Sequence, residues 1–283
     1  MQYENPKPRE GINYSSEHPL KEFSQLLIGI VVIIAVVVIT LNALAGRLAF
    51  YIPFEFERNM VSDFEFAEVE ESLQQAYLQE LADRLAPHMD LPEDMKITVH
   101  YSDSDTVNAF ATLGGNLVFF QGLIEQMESE EELAAVMGHE IAHIKYRHPI
   151  VALGKGVTLA TLAAFVGGSS ASGAGGWLIG SSANLSLLKF SRDQESQADQ
   201  AAAAGLQALY GHIGGAKDLF QSFAELEGQD SVTNPGVVEL FRSHPHSANR
   251  WIELQSLADT RGWLVDDART KLNFPGVASD SEG

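Results

Sequence analysis

The sequence predicts an α+β fold, mainly helical, in which one N-terminal transmembrane helix precedes a globular domain with a small β-sheet. Three observations predict it: an uncharged apolar run from Leu26 to Gly46, several segments with helical periodicity and capping residues, and three short β-rich stretches between residues 97 and 120. At 283 residues and 45% hydrophobic content, the chain can hold one anchor and one domain of about 200 residues with its own core.

The elements follow in order. Residues 1–25 form a polar tail, with 1–22 expected to be disordered, as is the C-terminal tail 275–283. Residues 26–46 are interrupted only by Gly29, Thr40 and Asn42 and reach about 30 Å as a helix, enough to cross a bilayer's hydrocarbon core. A cleaved signal peptide ending at Ala43-Leu44-Ala45 competes with this reading. The run, however, exceeds the roughly 7–15 apolar residues of such a peptide, and Lys7, Arg9 and Lys21 are outnumbered by Glu4, Glu10, Glu17 and Glu22. A retained single-pass anchor is therefore expected. Arg47 and Arg58 follow the run, so the positive-inside bias toward a cytoplasmic N-terminus is one charge. The globular domain is then extracytoplasmic.

Residues 47–70 are a juxtamembrane segment, in which Phe50, Tyr51, Phe54 and Phe56 read as an aromatic interface belt. Val61 to Leu85 reads as one amphipathic helix closed by Pro87. Ile97 to Tyr101, Val107 to Thr112 and Asn116 to Phe120 are rich in β-formers, with Gly114-Gly115 as a turn. Ser129 with Glu130, Glu131 and Glu132 predicts an N-cap, a capping box and a negative first turn, while Lys145, Arg147, His148 and then Pro149 predict the end of that helix. Leu133, Val136, Met137 and Ile144 give it an apolar stripe. The apolar arms 151–168 and 177–188 flank a Gly/Ala/Ser-rich stretch and are expected to form a hairpin that lies on the membrane or lids a cleft. Ala198 to Tyr210 and Ala216 to Leu226 continue as helices, broken by Gly211, Gly214 and Gly215.

On the helix that begins at Ser129 stands His139-Glu140-Ile141-Ala142-His143. Histidines four residues apart lie about 40° apart on one helix face, so both imidazoles reach one metal ion, and this geometry suits zinc. Glu140 falls beside them, where its carboxylate can take a proton from a water that the ion has acidified to a pKa of about 7. A mononuclear site needs a third protein ligand. Completion by Gly at 146 and His at 149 is excluded, because Tyr146 and Pro149 stand there. A glutamate from a downstream helix is the favoured solution: Glu195-Ser196-Gln197-Ala198-Asp199 offers Glu195 as ligand and Asp199 as an orienting carboxylate one turn later.

These residues, together with Arg147-His148, Ser191-Arg192 and Ser243-His244-Pro245, resemble metallopeptidase family 48, the gluzincin-type family of the HtpX, CAAX prenyl endopeptidase and Oma-like proteases. The resemblance runs from about residue 70 to about residue 255. It implies a zincin-like peptidase domain over residues 71–274 holding one zinc ion through His139, His143 and Glu195. Glu140 is then the general base, and Asp199 orients a ligand histidine. It further implies a membrane-anchored endopeptidase acting on polypeptides, such as misfolded membrane or envelope proteins, in the bacterial inner membrane. Asn108-Ala109-Phe110 resemble the family's edge strand, which would hold an extended substrate by main-chain bonds. His244 takes the place of a donor to the developing oxyanion or of a fourth ligand that keeps the site latent, and His246 is a second candidate.

The remaining residues narrow the classes. A formal charge of −20 argues against nucleic acid as a partner. Without cysteine, thiolate ligands and disulfides are excluded. Arg250 resembles the arginine that often follows the Ser243-His244-Pro245 element in that family, with a surface ion pair as the plain alternative, and His18, His88, His100 and His212 read as structural or solvent-facing. A latent-zinc, chaperone-like binding protein is the alternative function. A prenyl-peptide protease is disfavoured by the single span.

Overall fold

The computed structural model describes residues 19–64, 66, 72–156, 188–227, 244 and 248–276. The N-terminal tail up to residue 18, with His18, residues 157–187 of the expected hairpin, His246 and the last seven residues lie outside them.

α1 (Pro19–Leu48) is one 30-residue helix, and its stretch Leu20–Leu41 is long and apolar enough to cross a membrane. It starts before the expected Leu26, because Leu20 and Phe23 extend the apolar pattern. Ser24 hides its hydroxyl by donating to the Leu20 carbonyl at 2.7 Å. The seven residues of α2 (Phe54–Met60) follow, preceded by Pro53. Of the expected aromatic belt, Tyr51 and Phe56 are exposed, but Phe54 is buried in the core.

The single helix expected over Val61–Leu85 is not formed. Val61 closes α2 by donating to the Arg58 carbonyl, and α3 (Leu73–Leu85) begins afresh where Ser72 Oγ caps the Gln75 N–H. Charged residues at helical spacing look the same in sequence whether or not a cap interrupts them. β1 (Thr98–Ser102), β2 (Ala109–Ala111) and β3 (Asn116–Phe120) make a three-stranded sheet in the order β1-β3-β2, with β1 parallel and β2 antiparallel to β3. Gly114 and Gly115 turn the chain at φ of 71° and 85°, where side chains are disfavoured. The short α4 (Gln121–Ile124) leads into α5 (Glu130–Lys145).

Ser129 caps α5 as expected, its Oγ accepting from the Glu132 N–H at 3.1 Å. The capping box is not closed in the expected way: Glu132 reaches back to the N–H of Glu128 rather than of Ser129, and its other oxygen accepts from Ser222. Every residue from Glu131 to Ile144 is buried, so α5 is surrounded on all sides rather than on one stripe. Pro149 does not end it. The chain leaves α5 through Arg147 at φ 59°, and Pro149 sits in the first turn of a new helical segment over 148–156, where its missing N–H costs nothing.

α6 (Arg192–Tyr210) starts six residues earlier than the expected Ala198, because Ser191 and Gln194 form a reciprocal capping box. Gly211 at φ 82° ends it, and α7 (Gly214–Glu227) and α8 (Ala248–Arg261) follow. The core gathers α3, the sheet, α6 and α7 around α5.

Candidate metal centre

α5 and α6 meet through small residues. A Cβ placed on Gly138 would lie 3.2 Å from Ala202 Cα, so any larger side chain there would push the helices apart. This close approach carries the first turn of α6, with Glu195, up to the pair His139 and His143.

Four buried side chains then converge. His139 Nε2 lies 3.0 Å from His143 Nε2 and 3.2 Å from His244 Nδ1. Glu195 Oε1 lies 3.2 Å from His244 Nδ1 and 3.6 Å from His143 Nε2, and Oε2 lies 3.4 Å from His139 Nε2. Facing ring nitrogens and a carboxylate hold too few protons to bridge every pair, whereas one cation satisfies all four. Ligands bonded at about 2.0–2.1 Å to a tetrahedral ion stand roughly 3.4 Å apart. The separations of 3.0–3.6 Å bracket that value, so the donor set fits a divalent metal of the imidazole-preferring class.

Supporting groups fix these donors. Asp199 Oδ1 lies 2.9 Å from His139 Nδ1, within hydrogen-bond reach of the ring. Arg250 grips Asp199 through two bonds, Nε to Oδ2 and Nη2 to Oδ1, both 2.7 Å, and brings Nη1 to 3.0 Å from Glu195 Oε2. It is buried, which excludes the alternative of a surface ion pair. His143 Nδ1 faces His148 Nδ1 at 2.8 Å, and His148 Nε2 faces Gln197 Oε1 at 3.2 Å. Phe190 stacks on the His143 ring at 4.0 Å between centroids. Gln197 stood inside the recognised 195–199 stretch without an assigned role. Nothing in the sequence marks Phe190.

Burial opposes charge on His139, but Asp199 and Glu195 beside it raise its pKa to about 10. Burial also works to raise Glu195 and Asp199. It is outweighed by His244 and His139 at Glu195 and by Arg250 and His139 at Asp199, so both carboxylates are held low. Burial lowers His143 well below its ordinary value, and the neighbouring His139 adds to this. It brings His148 down to about 4. Glu140 is pushed up by burial. Its Oε2 accepts the Ala111 N–H at 2.7 Å and its Oε1 lies 3.4 Å from His244 Nε2.

β2 is the edge of the sheet. Asn108 and Thr112 bond to β3, so the Ala109 and Ala111 amides point to the other side. The expected strand Asn108-Ala109-Phe110 is buried rather than open, with Asn108 Oδ1 unpartnered among the described residues. Beside His139 and Glu140 a cavity of about 30 Å³ is lined by Val136, Leu219, Phe220, Phe223 and Leu254. The other histidines lie elsewhere: His100 pairs with Asn116, His212 accepts the Gly214 N–H, and His88 is exposed.

The domain that carries this cluster has known counterparts. The chain is 38% identical over 74 residues to the beta-barrel assembly-enhancing protease of Escherichia coli K12, covering 25% of this chain and 15% of that protein. It is 34% identical over 152 residues to metalloprotease LoiP of the same organism, covering 51% and 56%. It is 30% identical over 161 residues to the mitochondrial metalloendopeptidase OMA1 of Schizosaccharomyces pombe, covering 56% and 45%. The chain thus spans less than two thirds of each of these relatives. The family model described as peptidase family M48 matches residues 72–258, which include all four converging side chains, and the chain belongs to that family.

Proposed function

We propose that this chain is a membrane-anchored zinc endopeptidase, with residues 71–274 as its peptidase unit and α1 as a retained single-pass anchor. The observation that carries the reading is the convergence of His139, His143 and Glu195 within 3.6 Å of one another, with Glu140 beside them. Zinc held by these three side chains supplies a Lewis acid, lowering the pKa of a water toward about 7 and drawing charge from the scissile carbonyl.

The chain's own residues do the rest. Glu140 takes the proton as the water oxygen bonds to the carbonyl carbon, then delivers it to the amine as the C–N bond breaks. Its raised pKa keeps it basic enough to accept that proton. Asp199, held by Arg250, orients His139. The outward amide of Ala109 supports an extended substrate bound along β2, the Ala111 amide being held by Glu140, and the cavity beside His139 suits a small aliphatic side chain next to the cleaved bond.

His244 is assigned latency rather than oxyanion stabilisation in this state. Its Nδ1 stands among the ligand atoms, and its Nε2 faces Glu140. The same closed site favours the second reading, a latent-zinc protein that binds clients and cleaves few of them. The proposed clients are misfolded membrane or envelope proteins, met at the outer face of a bacterial inner membrane. Comparing peptides that accumulate in cells with wild type or Glu140→Gln tests this. Client fragments should vanish in the variant, and an unchanged peptide profile contradicts proteolysis.

A further inference from the structure

We propose that Arg147 and His148 are positioning residues that tie His143 to α2, so that seating of the helix after the membrane span governs how tightly the metal is held. The inference rests on reading His143 as a metal ligand. It starts from Arg147, whose φ of 59° is rare for an L residue and persists only where tertiary contacts impose it. Those contacts are with α2 and its lead-in. Arg147 Nε donates to Glu57 Oε1 at 2.6 Å, Nη2 pairs with the same carboxylate, and Nη2 donates to the Ile52 carbonyl at 2.9 Å. The guanidinium lies over the Phe54 ring. Glu57 also accepts the Gly114 N–H, from the turn that joins β2 to β3. Both charged residues are buried, and only residues 49–53 separate α2 from α1.

The next residue reaches the metal site. Gln197 Oε1 accepts from His148 Nε2, so His148 Nδ1 is left as an acceptor. His143 Nδ1–H donates to it, and His143 Nε2 is left with its lone pair toward the cluster. Arg147-His148 is therefore a two-residue bracket, fastened at one end to α2 and at the other to a ligand ring. A second apolar cluster, in which Ala49, Val61 and Leu113 pack with Ile150 and Leu153, seats the same junction.

The test uses the full chain in lipid nanodiscs, with zinc affinity measured by chelator competition and folding followed by thermal melting. Arg147→Gly keeps the left-handed turn without strain but removes the ion pair. Glu57→Leu with Arg147→Met replaces the buried charges by apolar groups, a change that folded proteins tolerate. We expect both to bind zinc about tenfold more weakly than wild type while remaining folded, and His148→Ala to lose about ten- to a hundredfold. Turnover should fall in kcat more than KM changes. Zinc affinity within twofold of wild type in the apolar pair and in Arg147→Gly overturns the inference. A wild-type chain that takes up no zinc overturns this inference and the ligand assignment together; zinc uptake abolished by His143→Ala shows that the assignment stands by itself.

Discussion

His244 Nδ1 stands 3.2 Å from Glu195 Oε1, and on the proposed mechanism it occupies the place of the attacking water. His244→Ala should therefore raise peptide cleavage. If the open state is roughly 1–10% populated in wild type, the gain is about 10- to 100-fold. Steady-state hydrolysis of a quenched peptide measures it. A fall in kcat with zinc intact would instead assign His244 to the oxyanion.

Glu140 reaches toward the cluster without belonging to it, because Ala111 N–H holds its Oε2 at 2.7 Å. Glu140→Gln should keep one zinc per chain and lose activity by at least about 10²-fold. Elemental analysis of the purified variant beside its turnover rate checks both halves.

Arg250 neutralises two buried carboxylates at once. Arg250→Ala should destabilise the metal-free protein by about 3–5 kcal/mol, since the two buried carboxylates of Asp199 and Glu195 are left with His139 alone as counter-charge. Chemical denaturation in the presence of a chelator reads this directly. Asp199→Asn should weaken zinc binding about ten- to a hundredfold while costing less stability.

Glu130 ties three elements together, accepting from Arg84 Nη2 at 2.8 Å and from the hydroxyls of Tyr210 and Tyr77. Burial works to raise its pKa, but the Arg84 bond and the tyrosine hydroxyls outweigh it, and the folded value is lowered from 4.5. A depressed carboxylate stabilises above its unfolded pKa, and that stability is lost as pH falls through the folded one. Acidification below pH about 4.5 should thus cost wild type roughly 1 kcal/mol that Glu130→Gln does not lose. Melting curves of both proteins between pH 7 and 3 make the comparison.

What the sequence reveals here is local. The Ser129 cap, β3 and the four-residue spacing of His139 and His143 are written within a few positions of one another, and each is found where it was expected. Glu195 is legible because chemistry demands a third donor and few stretches could provide one. Arg250 is marked by resemblance alone and Phe190 not at all, because their contacts exist only after α8 and the residues before α6 fold onto α5. The break at Ser72 and the left-handed Arg147 are hidden for a related reason: a cap or a buried partner, Glu57 in the second case, outweighs a pattern that continues through it.

The central claim is that one metal ion is gripped jointly by His139, His143 and Glu195. Zinc stoichiometry measured on intact wild type and on Glu195→Ala tests it most directly. One ion per chain in wild type and essentially none in the variant is the expected result. No bound metal in wild type, or full occupancy without the Glu195 carboxylate, would contradict it.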